Sequence, residues 1–119
     1  MHFQRYPGQD KLVSVIEGKI FDVVVDLRKQ SPSFGKWEGV ILDAEEHKQL
    51  FIPNGFAHGF CVLGNKGAWV HYKVSSLYEE KEEKTFRYDD PEIAICWPLS
   101  SPILSERDRN SPLFKEALL

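Results

Sequence analysis

The chain has 119 residues, and its fifteen Lys and Arg stand against eighteen Asp and Glu for a formal net charge of −3. That length fits one domain. The 42% hydrophobic and 13% aromatic content excludes an intrinsically disordered chain, which is too poor in apolar side chains to fold. No apolar run approaches the roughly 20 residues that cross a bilayer, and a nucleic-acid binder usually carries a basic face, so neither partner is expected. A small anionic ligand fits, because a pocket can be locally positive on an acidic protein.

The start of the chain shows no basic segment followed by an apolar one, so no secretory signal is expected. Cys61 and Cys96 lie 35 positions apart, each in an apolar setting, and form no CxxC pair. They read as buried free thiols, which suits a reducing cytoplasm.

In chain order, strands are expected at residues 11–17 (KLVSVIE), 20–27 (IFDVVVDL), 37–42 (WEGVIL), 49–52 (QLFI), 59–63 (GFCVL) and 68–74 (AWVHYKV). The second alternates Asp22, Val24 and Asp26 against Phe21, Val23 and Val25, the period of a strand. Gly64-Asn65-Lys66-Gly67 is a strong turn signal between the last two. Short strands at near-regular spacing, with Gly and Pro between them, predict an all-β fold: an antiparallel sandwich or jelly-roll barrel. The charge run at residues 79–84 (EEKEEK) reads as a helical turn or an acidic loop. One short helix is expected within residues 105–115, with Ser105 as its N-cap. Residues 90–112 carry four prolines and should wind over the surface.

Four histidines offer chemistry. His47 sits among charges and reads as exposed. His71 and Tyr72 are neighbours in a strand, so only one of them can face a given cavity. His58 closes a Pro-x-Gly-x-x-His spacing, the second half of the metal motif of cupins. The first half, a His-x-His pair followed by Glu, is not matched by His2-Phe3-Gln4. Transition-metal sites usually need at least three protein ligands, so no metal is expected at His58.

Beyond these single motifs stands an ordered set. Met1-His2-Phe3-Gln4, Gln9-Asp10-Lys11-Leu12-Val13, Gly18-Lys19-Ile20-Phe21-Asp22 and the run to Arg28 come first. Ser31-Pro32-Ser33-Phe34-Gly35-Lys36-Trp37 and residues 49–60 (QLFIPNGFAHGF) follow, then Tyr72-Lys73, Trp97-Pro98 and Leu104-Ser105-Glu106-Arg107-Asp108. Together they resemble the dTDP-4-dehydrorhamnose 3,5-epimerases, cupin-type enzymes of dTDP-L-rhamnose synthesis, over nearly the whole chain.

The resemblance implies an isomerase acting on a dTDP-sugar; with the free thiols and open sheet edges, a cytoplasmic homodimer is expected. The resemblance also implies His2 as the base, paired with Asp108, and Lys11 as the cation facing the enolate oxygen. His58 is implied as a second group contacting the substrate, Tyr72 as the acid, and Tyr78 as a platform for the thymine ring. Glu83 and Arg107 match nucleotide- or sugar-contacting positions. The residue chemistry suits these roles. An imidazole is a base near neutrality, and a phenol stays protonated there. No cofactor is implied, since the substrate's own ketone acidifies the neighbouring protons.

Family members carry a substantial segment before the motif that here begins at Met1. Residues 1–119 are therefore read as a single cupin-like epimerase domain lacking that segment. Such a chain is expected to pair through open sheet edges and to turn over slowly. The competing readings are a single-centre epimerase or a ketoisomerase of another dTDP-sugar pathway, a non-catalytic sugar-nucleotide-binding cupin, and a metal-dependent cupin.

Overall fold

The computed structural model describes residues 1–119. Eight strands run in the order β1 (His2–Gln4), β2 (Lys11–Glu17), β3 (Lys19–Asp26), β4 (Trp37–Asp43), β5 (Gln49–Ile52), β6 (Phe56–Leu63), β7 (Trp69–Val74) and β8 (Glu83–Thr85). Two one-turn helices close the chain, α1 (Glu106–Arg109) and α2 (Phe114–Ala117). All strand pairs are antiparallel, in a five-stranded sheet ordered β4-β3-β6-β1-β8 and a three-stranded sheet ordered β5-β2-β7. The expected all-β sandwich of jelly-roll type is the architecture observed.

The five-stranded sheet is covered on both faces. Toward the small sheet, Ile20 and Leu42 pack with Val13, Val15 and Ile52, all buried. On the opposite face, Met1, Phe3, Val23, Val25 and Ala57 pack against Phe86, Ile93, Phe114 and Ala117. The rings of Phe3 and Phe114 flank fully buried Phe86 at centroid distances of 6.5 and 5.1 Å. Burying a phenylalanine completely contributes about 1.5–3 kcal/mol, so this layer anchors the C-terminal segment. The chain crosses between the sheets at Gly18, whose φ of +88° places it in the left-handed region; a Cβ there would come within 2.5 Å of the Gly67 carbonyl oxygen.

Residues 105–115 hold the expected short helix and, beyond it, the start of a second. Ser105 caps α1, its Oγ accepting from the Asp108 N–H at 3.1 Å; α1 ends at Arg109 and α2 begins only after Pro112. Other expectations need correction. The acidic run divides: residues 79–82 turn, and Glu83 opens β8 by pairing with Gln4. Cys96 is exposed and Cys61 only half-buried, both as free thiols. Cys96 lies outside any strand, in a stretch where Ile93, Ile95 and Trp97 turn inward and the residues between them turn out.

Asp26 ends β3 in a nest of donors. It accepts from the Arg28 backbone N–H at 2.9 Å, Arg28 Nε at 3.0 Å, Arg28 Nη2 at 2.9 Å and Ser31 Oγ at 2.7 Å. The Arg28 guanidinium, aided by Ser33 and Ser31 and opposed by burial, holds this carboxyl well below the usual carboxylate range. A carboxyl depressed in the folded state stabilises fully above its unfolded value, and that contribution is lost as the pH falls below it. Asp26→Asn should therefore lower the urea midpoint at pH 7 and flatten its decline below the ordinary Asp value of 3.8. A variant with the same acid slope as the parent would contradict this account.

Candidate active site

Strand alternation decides which side chains look between the sheets. In β1, Met1 and Phe3 turn to the C-terminal layer, so His2 turns inward; it sits opposite His58 on β6 and Thr85 on β8. In β2, Lys11 shares the inward face of Val13 and Val15, and Tyr72 on β7 lies opposite Val13. His71 therefore points to the outer face.

These residues line one cavity of about 730 Å³. His2, Lys11, His58, Tyr72, Glu83 and Asp108 all contribute to its wall. Phe60, Val62, Tyr88, Trp97, Leu99 and residues 101–104 are among the others that line it, most of them apolar. The Trp97 indole N–H donates to the Tyr88 carbonyl at 2.7 Å, fixing that wall. Tyr78 and Arg107 stand outside the lining, one step behind it: Arg107 Nη1 donates to Glu83 Oε2 at 2.7 Å.

His2 Nε2 lies 2.6 Å from Asp108 Oδ1, across 106 residues of chain, and His2 Nδ1 lies 3.2 Å from Glu83 Oε1. Burial acts to raise the Asp108 carboxyl, but the hydrogen bond and charge of His2 outweigh it, and the net direction is down. Glu83 is lowered in the same way: burial opposes, while the Tyr78 hydroxyl, His2 and Arg107 prevail. Lys11 moves below the ordinary lysine value because burial penalises its ammonium more than Glu83 and Asp22 favour it.

A second pair lies deeper. His58 Nε2 is 2.8 Å from Asp22 Oδ2, with both residues buried. In the sequence Asp22 shows only as one member of an alternating strand, with nothing else to mark it for a role. The available signal was a carboxylate sharing a strand face with Ile20 and Val24, which the fold turns inward rather than to solvent. Its second oxygen, Oδ1, has no hydrogen-bond partner. His47 is exposed at the end of a 3-10 turn and far from this chemistry.

The arrangement offers an imidazole oriented by a carboxylate, a cation, a second imidazole and a phenol around one cavity. That set suits removal of a proton next to a carbonyl, stabilisation of the oxyanion formed, and return of a proton.

The family model described as dTDP-4-dehydrorhamnose 3,5-epimerase matches residues 1–116. A relative of that name from Shigella flexneri is 48% identical over 98% of this chain and 65% of its own length. A dTDP-4-dehydrorhamnose 3-epimerase from Streptomyces niveus is 42% identical over 93% of this chain and 53% of its own. The crystal structure of a dTDP-6-deoxy-D-glucose-3,5-epimerase from Legionella pneumophila, in complex with dTDP-4-keto-L-rhamnose, is 45% identical. It superposes with a TM-score of 0.91 over 96% of this chain and 61% of that one. The chain thus spans less than two thirds of each of these relatives, and it belongs to the dTDP-4-dehydrorhamnose 3,5-epimerase family.

Proposed function

We propose that this chain carries the site of an isomerase that inverts C3 and C5 of dTDP-4-dehydro-6-deoxy-D-glucose, giving dTDP-4-dehydro-L-rhamnose. The observation that carries the reading is His2, held 2.6 Å from Asp108, on the same cavity wall as Lys11, His58 and Tyr72. The ligand named in the Legionella pneumophila structure is the expected product, which supports the substrate class.

In this reading His2 takes the proton from a carbon flanking the C4 ketone, and the C–H electrons move into the enolate. Asp108 fixes the imidazole and favours the cation it becomes. Lys11 and His58 face the developing oxyanion at O4; losing one such preorganised donor costs on the order of 10²–10³ in rate. Tyr72, half-exposed at the edge of the small sheet, returns a proton from the opposite side of the ring. Tyr78 and Arg107 lie outside the cavity lining, so the roles assigned to them, stacking on the thymine and meeting the nucleotide as a cation, belong to the part of the ligand that extends beyond the cavity. The ketone supplies the acidity, so the chemistry calls for no cofactor.

We also assign the chain a cytoplasmic place and a homodimer. The dimer reading is supported by the outer face of the small sheet, where Ile16, Phe51 and Trp69 are each more than half exposed. Apolar clusters of this kind on a sheet favour association.

Incubation with dTDP-4-dehydro-6-deoxy-D-glucose in deuterium oxide should place deuterium at both C3 and C5. His2→Asn should slow both by about 10²–10⁴-fold, and Tyr72→Phe should impair inversion at C5 more than exchange at C3. Deuterium at C3 alone would favour a single-centre enzyme like the Streptomyces niveus relative, and none at either carbon would overturn the proposal. Light scattering on a sizing column should return twice the 13.7 kDa of one chain, falling to one chain in Trp69→Lys with Phe51→Lys. A parent that elutes as a single chain would contradict the dimer.

A further inference from the structure

His2 has a carboxylate at each ring nitrogen, Asp108 Oδ1 at 2.6 Å from Nε2 and Glu83 Oε1 at 3.2 Å from Nδ1. An ionised carboxylate only accepts, and a neutral imidazole carries one N–H. The shorter contact has first claim on that hydrogen. With it placed on Nε2, the lone pair of Nδ1 faces an oxygen of Glu83, acceptor against acceptor. The second contact becomes a hydrogen bond only once Nδ1 also carries a proton. Nδ1 is therefore the nitrogen on which a proton arriving from a substrate carbon would be held.

Glu83 is built to respond to that change. It opens β8, pairing with Gln4 on β1, so its backbone is fixed beside His2. Its other oxygen is held by Arg107 at 2.7 Å. Its carboxyl lies below the usual glutamate value and is ionised at neutral pH. One oxygen stays with Arg107 whatever His2 does, while the other gains a partner only when Nδ1 is protonated. A contact that improves as the reaction proceeds lowers the barrier, whereas one equally good throughout improves binding alone.

We infer that Glu83 is a positioning residue for His2, clasping the imidazole opposite Asp108 and receiving the Nδ1–H that proton abstraction creates. The inference rests on the epimerase reading for its kinetics but not for its geometry. It differs from a nucleotide- or sugar-contacting role for Glu83, which would act on ligand affinity.

Two measurements on the intact chain test it. In nitrogen-15 NMR, the parent should show one ring N–H on neutral His2, at Nε2, and a second, exchange-protected one at Nδ1 once acid protonates the ring, both assigned by their loss in His2→Asn. Glu83→Ala should remove the Nδ1 signal and keep that of Nε2. Glu83→Gln, which keeps the side chain's shape, should do the same, because its amide N–H donates to the Nδ1 lone pair. In solvent-exchange kinetics, both variants should lose about 10²-fold in kcat, the scale on which misplaced catalytic groups act, with KM within threefold of the parent. A rise in KM with kcat intact, or a Nδ1–H signal unchanged in both variants, would overturn the inference. A parent with no exchange at C3 or C5 but with the expected NMR pattern would refute the epimerase reading and leave the placement of Glu83 standing.

Discussion

The two-residue period of β1, β3 and β6 is the constraint on which the molecule turns. Because successive side chains point to opposite faces, strands that send His2, Asp22 and His58 between the sheets must send Met1, Phe3, Val23, Val25 and Ala57 the other way. The second group cannot be left in water, so a further layer has to cover it. Residues 86–118 form that layer, and docking Phe86, Phe114 and Ala117 onto the sheet carries α1 past the cavity mouth, with Asp108 beside His2. Core packing on one side of the sheet thereby sets the geometry of the site on the other.

Charge in the cavity follows one rule. Each inward histidine has its own carboxylate, His2 with Asp108 and His58 with Asp22, and each pair joins distant parts of the chain. A carboxylate fixes ring orientation and tautomer, so the two imidazoles present defined faces to whatever enters. Lys11 stands near Glu83 and Asp22, which temper the cost of its burial. The cavity combines this polar floor with an apolar wall around Trp97, the usual composition of a small-molecule site.

Much of this was legible in the sequence, for physical reasons. Strands β2 to β7 are long enough to show alternation or a β-branched run, and Gly64 and Gly67, both at positive φ, mark the turn between β6 and β7. Strands β1 and β8 have three residues each, too few for a period to register, and exist because they pair with one another and β1 pairs with β6. The expected short helix is followed by a second because Pro112 interrupts the segment. Asp22 shows no role in the sequence because an acid alternating with apolar residues ordinarily marks a solvent face; a second layer turns that face inward. The placement of His2, Lys11, His58 and Tyr72 around one cavity followed an ordered resemblance to a known family. Their proximity is not written in spacing, since it depends on pairings across 106 residues at the widest.

The His2–Asp108 contact has a consequence for how the molecule comes together. It closes nearly the whole chain into one loop, and contacts of such sequence separation form late, after the entropy of loop closure has been met. The two sheets can pair through nearer neighbours, including the β2–β3 crossover at Gly18. A chain that has paired its sheets but not yet seated residues 86–118 holds His2 beside Glu83 but without Asp108. The dyad thus reports completion: the imidazole is held at both ring nitrogens only in molecules whose last segment has docked, so partly folded chains carry the residues of the site without its full geometry.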